Sequence, residues 1–129
     1  MTNCIFCNQI QDNAVFYQTK HFKVVLDIDP IQTGHLLLIS KEHYTSITQL
    51  SADELHDLIE TEAYLISMLE ETLPIDGVTL ASNDKNLMDK GTHFHVHLIP
   101  RTSNDGFWNS LNLKNEDFPV NDFLDKLKR

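Results

Sequence analysis

The chain has 129 residues, 41% of them hydrophobic, and a formal net charge of −9 with histidines neutral. This length suits a single domain over residues 1–129 with a core of its own, and the hydrophobic share excludes wholesale disorder. The acid excess repels phosphate backbones, which excludes a nucleic-acid polymer as partner but leaves room for a single nucleotide in a local positive pocket.

The first segment reads MTNCIFCNQI. It has no basic stretch leading into an apolar run, so no signal peptide is expected. No segment approaches the roughly 18 apolar residues of a membrane span. The expected compartment is the cytoplasm, where Cys4 and Cys7 stay reduced. Their C-x-x-C spacing allows a redox pair, half of a tetrahedral zinc site, or two small packed residues. A redox pair follows a strand and opens a helix, and no strand fits ahead of Cys4. Half a zinc site needs two more ligands, for which His21, His35, His43, His56 and the later histidines are available.

β-rich runs between turn signals predict strands at Val15–Tyr17, Phe22–Asp27 and Gly34–Ser40. A long helix follows. Ser51 and Glu54 in SADE form a capping box, and Leu55, Leu58, Ile59, Leu65, Ile66 and Leu69 recur at helical spacing until Pro74 stops the run. Two further strands are predicted at Gly77–Ser82 and His93–Ile99, and Phe123, Leu124 and Leu127 mark a short amphipathic helix near the C-terminus. There is no internal repeat or linker-like tract. The connections are too short for repeated helical crossovers, so the expected class is α+β with a five-stranded antiparallel sheet.

The segment GTHFHVHLIPR places His93, His95 and His97 at alternate positions. On a strand they share one face, while Phe94, Val96 and Leu98 share the other and can pack on the long helix. Three readings are open at this point. The histidines are polar residues on a solvated face, or a catalytic three-histidine metal site. In the third reading one attacks phosphorus, another donates a proton to the leaving group, and another orients the site.

HFHVHLIPR resembles the alternating His-apolar signature of the histidine-triad superfamily. DIDPIQTGHLLLISKEH is similar to that family's strand-and-loop segment, and CIFCNQI to the N-terminus of many bacterial members; together the likeness runs from Cys4 to about Trp108. The resemblance implies a five-stranded antiparallel sheet, usually in a homodimer with continuous sheets. It implies a purine-nucleotide hydrolase or nucleotidyl transferase that cleaves nucleoside phosphoramidates or dinucleoside polyphosphates at the α-phosphate. By position, His95 would be the nucleophile that forms a nucleotidyl-histidine, with its other ring nitrogen held by a backbone carbonyl. His97 would contact the phosphate, and His35 would complete the phosphate pocket, unless it is a plain strand-edge residue. Asp27 would bind the ribose hydroxyls, against the alternative of an Asx-type turn, and Ile28 would line the base pocket. In members with Cys-x-x-Cys, the ligands resemble Cys4, Cys7, His43 and His93 here, a structural zinc that leaves His95 free.

The chain departs from the family pattern at two places. Ser40 stands where many members have Pro, and Met88, Asp89, Lys90 and Gly91 stand where many read Gly-Gln-Ser/Thr-Val. Lys90 would supply positive charge to the phosphate, whereas Asp89 would repel it unless turned away. Asn83 matches a phosphate-contacting Asn, Thr92 offers a hydroxyl, and Trp108 either lies near the pocket or packs as a C-terminal aromatic. Two competing functions follow: a nucleotide-binding regulatory module with little catalysis, and a hydrolase whose catalytic metal sits on the three triad histidines.

Overall fold

The computed structural model describes residues 4–127. The elements are α1 (Ile5–Asn8), β1 (Tyr17–Gln18), β2 (Phe22–Leu26), β3 (Leu36–Ser40), α2 (Ala52–Thr72), β4 (Gly77–Ala81), β5 (His95–Arg101) and α3 (Val120–Leu127). The strands form one sheet in the order β1-β2-β3-β5-β4, with every neighbouring pair antiparallel. The expected α+β architecture is therefore present, with one long helix and a C-terminal helix. Among the described residues no helix is long and apolar enough to cross a membrane.

The alternation along β5 divides the sheet into two faces. Phe94, Val96 and Leu98 point to α2 and pack with Leu58, Leu65 and Leu69. On the other face Val25, Leu37 and Ile39 pack with Cys4 and Phe6. In β3, Leu37 is opposite His97 and Ile39 opposite His95. Burial of both faces explains why β3 is buried along its whole length and reads as a continuous apolar run rather than an alternating one.

α2 begins as its capping box requires. The Ser51 hydroxyl accepts the Glu54 N–H, and the Glu54 carboxylate accepts the Ser51 N–H at 2.8 Å. Its buried stripe is Glu54, Leu58, Thr61, Leu65 and Leu69. Leu55 and Ile59, expected on that face, are 37% and 60% exposed. They belong to an adjacent stripe, rotated away from the sheet by the helical period. The apolar side chains of α3 are in place, but none of its residues is buried.

The strand ends differ from the expected ones for local reasons. Val15 closes a turn, its N–H bonded to the Asp12 carbonyl, so β1 begins later. Asp27 ends its run in an Asx turn, accepting the Asp29 N–H at 2.9 Å. His35 lies just before β3 and His93 before β5. Both remain in line with the sheet: Asp27 N–H bonds the His35 carbonyl, and Ser40 N–H the Phe94 carbonyl. β5 continues through Pro100 to Arg101, past the end of β3, so Pro100 has only β4 beside it and no ladder bond to β3 is lost.

Candidate active site and metal cluster

The single turn of α1 sets Cys4 and Cys7 on one side, with the Cys7 N–H donating to Cys4 Sγ at 3.2 Å. Cys4 Sγ lies 3.3 Å from His93 Nδ1, and Cys7 Sγ lies 3.1 Å from His43 Nδ1 and 3.4 Å from His93 Nδ1. The four donor atoms fall within 4.8 Å of one another, a Cys2His2 set that can coordinate a metal ion. His93 Nε2 donates to the Ser40 carbonyl at 2.6 Å, which leaves the Nδ1 lone pair aimed at the sulfurs. Burial holds His93 down at about pKa 4, partly opposed by its bond to Ser40. Desolvation and then the adjacent Cys4 thiol push Cys7 up to about 11 in the metal-free state. Lys23 Nζ donates to the Phe6 carbonyl at 3.0 Å, tying α1 to β2.

His95 is buried beneath the Phe6 ring, which meets it edge-on at 5.0 Å between centroids. Its Nδ1 is 2.7 Å from the His93 carbonyl. A carbonyl only accepts, so Nδ1 carries the hydrogen and Nε2 the lone pair. Among the described residues no buried side-chain nitrogen or oxygen lacks a partner. The Nε2 of His95 has none among the described residues and so is not a buried, unpaired atom.

The next ring on the strand belongs to a second group. His97 Nδ1 lies 2.9 Å from His35 Nε2, and Asp27 Oδ2 lies 3.4 Å from His35 Nε2 and 3.9 Å from His97 Nδ1. Burial lowers the pKa of both histidines, and Asp27 opposes that shift in each. The Ile31 N–H donates to His35 Nδ1 at 3.1 Å, so His35 presents a hydrogen, not a lone pair, at Nε2. That hydrogen bonds His35 to His97, with Asp27 alongside the pair, and it occupies the His35 Nε2 position that a metal ion would need, although the polar atoms of the three residues converge. The three triad imidazoles do not converge on one point.

A pocket of about 350 Å³ adjoins these groups, lined by Phe6, Ile10, Val25, Asp27, Ile28 and Leu37 among others. Ile28 stands at its rim, fully exposed. Apart from Asp27 and Ile28, these lining residues were not singled out by the sequence reading. Their signal was the period-two alternation that puts Val25 on the same face as Asp27, and Leu37 on the same face as His35. Asn83 and Lys90 are exposed on the segment before the triad. The Thr92 hydroxyl donates to the Asp89 carbonyl at 2.7 Å, closing a turn. Gly91 accepts the Ile5 N–H, which brings this segment against α1. Asp89 is exposed, and its charge acts on His97 in the upward direction, as the smallest of the influences there. Trp108 is 64% exposed and lies beside the end of β5. There the Arg101 guanidinium, paired with Asp105 at 2.6 Å, sits 5.9 Å from the Trp108 ring centroid.

The chain is similar to known proteins. An uncharacterised HIT-like protein of Methanocaldococcus jannaschii is 33% identical over 107 residues, covering 80% of this chain and 82% of its own. The bis(5'-adenosyl)-triphosphatase of Dictyostelium discoideum is 28% identical, with 83% and 76% covered. The crystal structure of a Zn-bound histidine triad family protein from Mycobacterium smegmatis superposes with a TM-score of 0.70 at 26% identity, covering 89% and 84% of the two chains. Residues 8–104 match the HIT domain family. With the sheet order, the alternating histidines and this match in agreement, the chain belongs to the HIT domain family.

Proposed function

We propose that this chain is a purine-nucleotide hydrolase or nucleotidyl transferase acting at the α-phosphate through a covalent nucleotidyl-His95. The observation that carries this reading is the 2.7 Å contact from His95 Nδ1 to the His93 carbonyl, which leaves the lone pair on Nε2. Neutral imidazole is a competent nucleophile near pH 7 and leaves again when water attacks the phosphorus. His97 holds its hydrogen on Nε2 and can donate it to a phosphate oxygen as charge develops. His35 orients His97. The pocket beside Asp27 and Ile28 suits a ribose and base, with Lys90, Asn83 and Thr92 nearest the phosphates. The similarity to a dinucleoside triphosphatase supports the substrate class.

The ion on Cys4, Cys7, His43 and His93 is read as structural zinc. The sulfur–nitrogen separations of 3.1–3.4 Å suit the edge of about 3.5 Å expected for tetrahedral zinc with such ligands. Four protein ligands leave no open position, so the ion ties α1 to the start of β5 and takes no part in bond making. The working form is read as a cytoplasmic homodimer. The apolar hollow of about 600 Å³ on the α2 face, lined in part by the exposed Phe16, Tyr17, Tyr64 and Met68, supports an added partner there.

The test is incubation of metal-replete protein with adenosine 5'-phosphoramidate and with diadenosine polyphosphates. Release of AMP is expected, lost in His95→Ala while AMP binding persists. Binding of AMP with no turnover of any of these compounds would instead leave a regulatory module.

A further inference from the structure

His35 Nε2 and His97 Nδ1 share one hydrogen across a gap of 2.9 Å, and burial favours the neutral form of both rings. Two arrangements of a neutral pair satisfy that gap. In the first, His35 donates from Nε2, and His97 carries its own hydrogen on Nε2, where a phosphate oxygen can accept it. In the second, both hydrogens have changed places: His35 holds one on Nδ1, His97 donates from Nδ1, and His97 Nε2 presents a lone pair that repels phosphate. The Ile31 N–H selects the first, because a donor 3.1 Å from His35 Nδ1 admits only a lone pair there.

The loop between β2 and β3 aims this N–H. Packing does not hold its crest, since Ile28 and Ile31 are 100% and 61% exposed. Among the described residues, the side chain that ties segment 28–34 to another part of the fold by a hydrogen bond is Gln32, the neighbour of Ile31. Its Nε2 donates to Asp105 Oδ2 at 3.3 Å. Asp105 is itself clamped: Arg101 donates to it from Nε and Nη2 at 2.6 Å each, and the Phe107 N–H donates at 3.1 Å. Arg101 holds the Asp105 carboxyl well below the usual carboxylate range, so it stays an acceptor. The guanidinium is fixed in turn by the Thr79 hydroxyl of β4 at 3.0 Å and by the Phe107 ring, whose centroid lies 4.3 Å away. A rigid carboxylate at the end of β5 thus grips the loop one residue from the N–H that sets His35.

We propose that Gln32 and Asp105 are positioning residues that hold the Ile31 N–H on His35, and so keep the His97 hydrogen on the nitrogen that meets phosphate. The proposal rests on the nucleotide reading of the site. With Gln32 released, the loop crest can swing, the Ile31 N–H leaves His35 Nδ1 for water, and the second arrangement becomes accessible. A phosphate then binds only the molecules still in the first arrangement, so its apparent affinity falls with that fraction. A ligand without phosphate does not sense the difference. This separates the latch from a simple loosening of the base pocket, because Ile28 of the same loop stands at the rim of that pocket.

The experiment measures AMP and adenosine binding to metal-replete wild type, Gln32→Leu and Gln32→Lys by calorimetry. Long-range ¹H–¹⁵N spectra of the same proteins show which ring nitrogen of His35 and of His97 carries the hydrogen. Wild type should hold both on Nε2. Gln32→Leu is similar in size but has no donor, and in it His97 should carry its hydrogen mostly on Nδ1. AMP should then bind roughly tenfold more weakly, the loss expected when about a tenth of the molecules keep the competent arrangement, while adenosine affinity changes by about twofold or less. Gln32→Lys, whose Nζ can donate to Asp105, should keep the wild-type ring hydrogens. Ring hydrogens unmoved in Gln32→Leu would overturn the proposal. An equal loss of AMP and adenosine affinity would also overturn it, leaving Gln32 as a support of the base pocket only. If wild type bound neither ligand, the nucleotide reading would fail, and the spectra of Gln32→Leu would decide the latch by themselves: moved hydrogens support it and unmoved ones sink it. Should Gln32→Leu not fold, Gln32→Ala takes its place with the same readings.

Discussion

The carbonyl oxygen of His93 lies 2.7 Å from Nδ1 of His95, while the side chain of His93 faces the two cysteine sulfurs through its own Nδ1. One residue thus belongs to the candidate metal cluster by its ring and sets the tautomer of the proposed nucleophile by its backbone. The candidate metal cluster and the proposed reaction site are joined through a single peptide unit.

Metal removal should therefore affect rate as well as stability. Cys4→Ser is expected to lose stoichiometric zinc and to lower Tm by roughly 10 °C, the shift that follows from a few kcal/mol in a domain of this size. Its kcat should fall although no group that touches phosphate has changed. Metal quantification, calorimetry and AMP release on the same preparation check this. An unchanged rate in zinc-free protein would separate the two sites.

The buried histidines fix the sign of the pH dependence. His93, His35 and His97 all have pKa values lowered by burial. Below the unfolded value of about 6.5, the unfolded chain takes up protons that the folded chain resists. In metal-free protein, stability should be full above that pH and fall as pH drops from there. The fall due to His93 should level off below about pH 4, a contribution of about 3 kcal/mol. Urea midpoints measured from pH 7.5 to 4 test the slope, and His93→Gln should flatten it.

Gly34 has φ +86°, and a Cβ there would stand 2.7 Å from Leu73 Cδ1 and 3.3 Å from Pro100 Cγ. Leu73 can rotate aside, but the backbone strain stays. Gly34→Ala should cost about 1–3 kcal/mol in denaturant unfolding. Because residue 34 leads directly into His35, turnover should drop in the fraction that remains folded.

Asp89 adds a negative charge to the segment before the histidine strand, and that charge acts on His97. Asp89→Asn should lower KM for diadenosine polyphosphates by roughly threefold at low ionic strength, with the gain shrinking as salt rises. The less charged phosphoramidate should respond less. A KM that ignores both the substitution and the salt would show that this carboxylate points away from the phosphates.

Much of this was legible from local pattern. The capping box at Ser51, the apolar period of α2 and the two-residue alternation of β5 are each set by neighbours in the chain. They located the long helix, the sheet and the two faces of the histidine strand. Exact strand ends were less legible, because turns such as the Asx turn at Asp27 and the bonded turn before Val15 compete with the sheet. The helix stripe was misjudged at Leu55 and Ile59, since several apolar residues fit a helical period and only packing against the sheet selects which are buried.

What the amino-acid order determined by itself, then, was which residues alternate, which cap and which must turn. Resemblance added His43 and His93 as candidate metal ligands, which spacing alone had left open among several histidines. The tertiary structure decided the pairings between distant residues: Cys4 with His93, Asp27 with His35 and His97, and the Ile31 N–H aimed at His35. The physical reason is that a ring's tautomer and charge depend on the direction of the hydrogen-bond partner at each nitrogen. Those directions come from strand register and loop backbone, which periodicity along the chain does not encode.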